Sequence, residues 1–177
     1  MHKAKKQWLA INILGGVAVL GSYAQGLLTH PDTRNLLWGD VPEPLREVYN
    51  VTMWLATAGY LVFMGYVLLR VDFADVRVGR RGFGVINACC AAIVVASALW
   101  MPLTFVHIAR PSTALWLLIR ADLVVVGIGA VGLIVSFFSL SPRPTGRAAA
   151  LTVVALLFFA LQTAFLDPFV WPVFFPN

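Results

Sequence analysis

Residues 114–140 read ALWLLIRADLVVVGIGAVGLIVSFFSL. The run holds only two charges, Arg120 and Asp122, and no proline. It exceeds the roughly 20 apolar residues that carry a helix across a bilayer. A run this long either tilts within the membrane or begins outside the hydrocarbon, which would bring Arg120 and Asp122 close to the interface. Four more stretches of similar character flank it at 8–28, 48–69, 85–107 and 148–166, and none of them contains a Lys, Arg, Asp or Glu. The expectation is an all-α integral membrane protein of five transmembrane helices in a single bundle spanning residues 1–177, with the lipid bilayer as its first partner.

Composition agrees. Of 177 residues, 60% are hydrophobic and 12% charged, against about 25% charged in soluble chains. Disorder is excluded, since it needs low hydrophobicity and high charge. A nucleic-acid partner is excluded as well, because the net charge of +5 comes from Lys and Arg lying between apolar runs, as in membrane-protein loops. Nine cations (Lys3, Lys5, Lys6, Arg70, Arg77, Arg80, Arg81, Arg143, Arg147) fall on one side of five spans and three (Arg34, Arg46, Arg110) on the other. Cytoplasmic segments carry the excess, so the amino terminus is expected inside and the carboxyl terminus outside, in a bacterial inner membrane or its equivalent. Lys3, Lys5 and Lys6 before an apolar run and Ser22-Tyr23-Ala24 also fit a cleavable signal peptide. Continuation of the run to Leu28, through Tyr23 and Gln25, favours a retained first span.

Several chemistries find no support. Cys89 and Cys90 are neighbours, read as small buried hydrophobes rather than a strained disulfide. The three histidines lie in different segments with no metal-ligand spacing, so no metal site and no obligatory cofactor is expected. His30 and His107 share the outer side, open to two readings: axial ligands of a haem, or polar residues at helix ends. Gly79-Arg80-Arg81-Gly82-Phe83-Gly84 lacks the preceding strand of a phosphate-binding loop. No catalytic residue is assigned. Gly127, Gly129 and Gly132, with Ser22 and Gly26, form small-residue faces suited to close helix approach, within the bundle or in a homodimer.

Sorted by depth, the polar and aromatic residues gather in the outer halves of the spans. Trp8, Trp116 and Trp171 fall where an interfacial aromatic belt accounts for them. Trp54 and Trp100 lie about two turns deeper and are expected to face other helices or a ligand. Asp122 is expensive inside a membrane and is a functional candidate by default. Two residues along a helix point about 200° apart, so Arg120 is a poor partner for it and is expected over Trp116 instead. Arg46, Tyr49 or Trp100 would then serve Asp122, as structural glue or beside a ligand. Residues 29–47, with Pro31, Gly39, Pro42, Pro44 and four acids, form an ordered cap or a solvated linker.

This order of features resembles the TspO/MBR family of five-span membrane proteins. The resemblance lies in Pro31 and Trp38-Gly39-Asp40-Val41-Pro42 of the first loop, and in Val48-Tyr49-Asn50-Val51-Thr52-Met53 and Ala58-Gly59-Tyr60-Leu61-Val62 of the second span. Ser97-Ala98-Leu99-Trp100-Met101-Pro102-Leu103-Thr104-Phe105 is similar to the third-span motif Asn-x-x-Trp-Ser-x-x-Phe-Phe, with Ser97 replacing the asparagine. Asp122 falls near an acidic position of the fourth span. Phe158-Phe159-Ala160-Leu161-Gln162 stands where the family has a Pro-Tyr and tryptophan signature. The resemblance implies a bundle that binds a porphyrin, sterol or similar flat apolar molecule in a cavity closed by the first loop, with Trp38, Trp100 and Asp122 as matched candidates and a tetrapyrrole among the ligands. Tyr49, Asn50, Trp54, Thr104 and His107 join the candidate site from their depth alone, and Arg46 as a partner for a propionate carboxylate. An enzyme acting on a lipid or isoprenoid around Asp122, His107 and Arg120 is the alternative, as is an accessory subunit of a membrane complex.

Overall fold

The computed structural model describes residues 2–175. It is a bundle of five long helices, each long and apolar enough to cross a membrane. Four are α1 (Lys3–Thr29), α2 (Glu43–Arg70), α3 (Gly84–Ala109) and α4 (Thr113–Phe138). The fifth begins as α5 (Gly146–Ala160), continues as a π-helical stretch (Leu161–Val170) and ends in one α-turn, α6 (Trp171–Phe174). Helix α1 packs on α3, α3 on α4, α4 on α5 and the π stretch, and α5 on α2.

Four of the five helices overrun the expected spans and α4 stops two residues short of its expected end, and the local chemistry explains where. Helix α2 starts at Glu43 because Pro44 sits in its first turn, where a missing N–H costs nothing. The first connection is correspondingly short and contains a 3-10 turn, Arg34–Trp38. Helix α4 stops at Phe138, and Leu140–Ser141 forms a short strand (β3) beside a hairpin of Arg77–Val78 (β1) and Arg81–Gly82 (β2). Gly79 makes the hairpin turn at φ +58°, a conformation glycine adopts without penalty. A two-residue strand therefore does precede the glycine-rich stretch, but it belongs to an antiparallel hairpin and not to a strand–loop–helix crossover.

Two ends result. The basic end carries the start of α1, the hairpin and the α4–α5 connection; the aromatic end carries the first connection, the α3–α4 turn and α6. Near the basic end Trp8 is fully buried against Phe73, with Lys5 over the Phe73 ring at 5.7 Å. This corrects its placement in an interfacial belt. Further along, the Tyr60 hydroxyl donates to Asn12 Oδ1 at 2.7 Å and Asn12 Nδ2 to the Trp8 carbonyl at 2.8 Å, tying α2 to α1.

Close helix approach rests on small residues, as the glycine spacing suggests. A Cβ on Gly59 would collide with the Ala155 carbonyl oxygen, and one on Gly129 would come within 2.7 Å of Ile93. Gly59→Leu should therefore cost about 1–3 kcal/mol through overpacking, read as a lowered thermal midpoint by circular dichroism in detergent. Gly21→Leu, whose Cβ meets nothing within 4 Å, should leave the midpoint unchanged or slightly raised.

Candidate functional site

The aromatic end is built around the last turn of the fifth helix. In the π-helical stretch the Trp171 N–H reaches back five residues to the Leu166 carbonyl, and this wider turn accommodates Pro168, which has no N–H to give. The π pattern assigns Pro168 no bond to Thr163, and that carbonyl lies against Gly127, where a Cβ would come within 2.9 Å of it. Gly127 thus lets the irregular stretch press against α4. Single π-turns mark functional segments in many helices; here the irregularity is ten residues long.

The stretch delivers Trp171 to the centre of an aromatic cluster. Its ring lies 5.8 Å from Trp100, 6.0 Å from Trp116 and 4.4 Å from Phe175, separations at which aromatic pairs attract beyond their area burial. Its indole N–H donates to the Leu37 carbonyl at 2.9 Å. The backbone closes beside it: Asp40 N–H donates to the Phe174 carbonyl at 2.8 Å. Gly39, at φ +55°, has space for no Cβ there, since one would come within 2.5 Å of the same oxygen. The first connection is an ordered cap held by the carboxyl-terminal turn.

A polar group of residues lies beneath this closure. Tyr49 donates to the Leu166 carbonyl at 2.8 Å. Gln162 Nε2 donates to Asp167 Oδ1 at 2.6 Å, and the Thr52 hydroxyl lies 2.6 Å from Gln162 Oε1. Asp122 of α4 and Asp167 of the π-helical stretch are acids on two different helices. Asp122 is 8% exposed, and its Oδ2 has no hydrogen-bond partner; the same holds for Trp100 Nε1. Buried polar atoms are satisfied in the large majority of cases; Trp8 Nε1, Asn87 Oδ1 and Arg120 Nε are unpartnered as well, but Asp122 is the one carboxylate among them.

The expected site residues divide into three groups. Trp38, Tyr49 and Trp100 belong to the aromatic cluster or pack against it, Asp122 is buried on α4 beside Leu123 of that cluster, and His107 lies against Trp116 and Phe175, its Nδ1 accepting from Ser112 N–H at 3.4 Å. Arg46 and Thr104 are occupied elsewhere. Arg46 donates to the Val41 and Gly39 carbonyls at 2.7 and 3.3 Å, over the Trp38 ring, and Thr104 donates to the Trp100 carbonyl at 2.7 Å. Asn50 and Trp54 face outward on α2, Trp54 at 76% exposure, away from the aromatic cluster. Arg120 lies over Trp116 at 5.8 Å, as the four-residue spacing suggests.

Trp116 and Trp171 were expected in the interfacial belt and are instead buried core of the cluster. Gln162 and Asp167 are the polar residues the candidate list lacks. Their signal was the apolar character of the chain beyond Leu166, which continues past Asp167-Pro168 to Phe175. His30 stacks on Phe105 at 4.1 Å, apart from His107. Among the described residues, no three His, Cys, Asp or Glu side chains are placed to hold a metal ion.

No family model matches the chain, and neither curated proteins nor solved structures give a match. The roles of the two tryptophans nevertheless separate cleanly by experiment. Trp171→Ala should cost about 3–5 kcal/mol and Trp54→Ala less than about 0.5 kcal/mol, measured by denaturant titration of the purified protein in micelles.

Proposed function

We propose that the chain is a multi-pass membrane protein, with its amino terminus cytoplasmic and its carboxyl terminus outside, whose aromatic end binds a flat hydrophobic ligand. The outward faces of the helices support insertion: Leu14, Leu20, Leu61, Leu117 and Ile128 are all more than half exposed, a surface that soluble monomers rarely present. The nine-to-three division of cations between the ends supports the orientation.

The observation that carries the ligand reading is the buried, unpartnered Asp122 Oδ2 close to a cluster of aromatic rings. Ligand sites combine apolar walls with a few polar groups that fix orientation, and an acceptor left open in such surroundings matches a ligand that donates a hydrogen bond. A sterol-like polycycle with a hydroxyl group fits. A porphyrin fits less well, because its propionates would meet Asp122 and Asp167 while Arg46, the cation they need, is held by the Val41 and Gly39 carbonyls. The resemblance to TspO/MBR proteins points to the same class of flat apolar ligand.

Energy transfer from tryptophan to a fluorescent sterol, titrated into the protein in lipid nanodiscs, tests this reading, with protoporphyrin as the competing ligand. Saturable transfer is expected with the sterol. Asp122→Asn should weaken binding about tenfold, or about 1.4 kcal/mol, and Trp54→Phe should leave the affinity unchanged. Absence of saturable transfer with either ligand, or identical titrations for Asp122→Asn and the parent protein, would defeat the proposal.

A further inference from the structure

At the opposite end of the bundle a cleft of about 530 Å³ opens between the end of α2, the α4–α5 connection and the start of α5. Arg70, Arg143 and Arg147 line it together with Tyr66, against a single acid, Asp72. Asp72 Oδ1 already accepts the Ala74 N–H at 2.9 Å. Three cations and one anion leave the cleft a net charge of +2. Its wall also includes Thr145 and Gly146, where α5 begins without a side-chain cap, so first-turn N–H groups lack the partner that a capping hydroxyl supplies.

A second, smaller groove of about 250 Å³ adjoins the cleft and shares Arg143, Pro144, Thr145 and Gly146 with it. Its remaining wall is Phe137, Phe138, Ala149, Ala150 and Val153, an apolar channel running along α4 and α5. Polar cleft and apolar groove thus meet across one short segment. That pairing matches an amphipathic ligand whose anionic head lies among arginines and whose hydrocarbon follows the helices.

We propose that this paired cleft is a binding site for one anionic glycerophospholipid. The phosphate is held by Arg143 and Arg147, as guanidinium groups hold phosphate through paired hydrogen bonds, and by the amino-terminal turn of α5. One acyl chain lies in the Phe137–Val153 groove. The site rests on the membrane reading given above and is independent of the ligand proposed for the aromatic end. Basic pockets between helices on the cytoplasmic side are established receptors for such headgroups, and this end is the cytoplasmic one in that reading.

Native mass spectrometry of the full chain in detergent, titrated with dioleoyl phosphatidylglycerol or dioleoyl phosphatidylcholine, provides the test. One phosphatidylglycerol should remain bound with about tenfold preference over phosphatidylcholine. Arg143→Gln with Arg147→Gln should abolish the preference and Arg143→Lys with Arg147→Lys should keep part of it, with circular dichroism confirming the fold of each. Arg80→Gln with Arg81→Gln, on the hairpin outside the cleft, should leave it intact. Dihexanoyl phosphatidylglycerol should bind more weakly than the dioleoyl lipid. Equal loss in the Arg80/Arg81 variant, no preference for the anionic lipid, or full competition by inorganic phosphate would overturn the proposal. Release of the protein from membranes at alkaline pH would instead defeat the membrane reading, which keeps the two failures distinct.

Discussion

Trp171 is the contact on which the aromatic end depends. Its indole N–H fastens the first connection at Leu37, and its ring touches Trp100 of α3, Trp116 of α4 and Phe175 beyond α6. One side chain therefore joins the cap to three other parts of the chain. The π-helical stretch puts it there. An α-helical path through the same ten residues would close Trp171 onto Asp167 instead of Leu166, turning the indole away from its present direction and setting Pro168 against the carbonyl four residues earlier. Gly127 completes the arrangement by admitting the Thr163 carbonyl that Pro168 does not serve. Irregular backbone inside a membrane is tolerated where it is buried in protein, and the Tyr49 hydroxyl donating to Leu166 is one such compensation.

The two ends of the bundle divide the chemistry. At the basic end, short strands and a proline-containing connection hold arginines at the surface, and the buried polar residues below them, Asn12, Asn87, Ser136 and Thr152, are uncharged. At the aromatic end two acids lie within helices: Asp122 is buried on α4, and Asp167 accepts from Gln162, which with Thr52 links α2 to the fifth helix. Burying a carboxyl costs far more than burying an amide. The unpartnered Asp122 Oδ2 is therefore costly for stability.

Much of the fold was legible from length and hydropathy. Five uninterrupted apolar runs gave five helices, and the division of cations distinguished the two ends. Rotation about each helix axis was not legible. A soluble helix announces its inward face by alternating polar and apolar sides, whereas these helices are apolar all round, so Trp8 and Trp54 carry no local mark of which is buried and which faces out. Depth alone placed Trp54 inside and Trp8 at the surface, and the packing reverses both. The fifth helix was misjudged for a different reason: Asp167-Pro168 has the composition of a terminus, and only the wider π-turn lets the helix pass through it. Within the candidate site, Trp38, Tyr49, Trp100 and Asp122 were recoverable from order and depth; Trp171 and Gln162 required knowledge of what the π stretch brings forward, and Trp116 of which face α4 turns inward.

The central claim is that the first connection is an ordered cap locked by the carboxyl-terminal turn. Amide hydrogen exchange across residues 36–41 in nanodiscs tests it most directly, since the Gly39, Asp40 and Val41 N–H groups are all hydrogen-bonded, Asp40 to Phe174. The account predicts protection in this segment comparable to that at the ends of α2. Exchange at the rate of an unstructured peptide in the unliganded protein would contradict it.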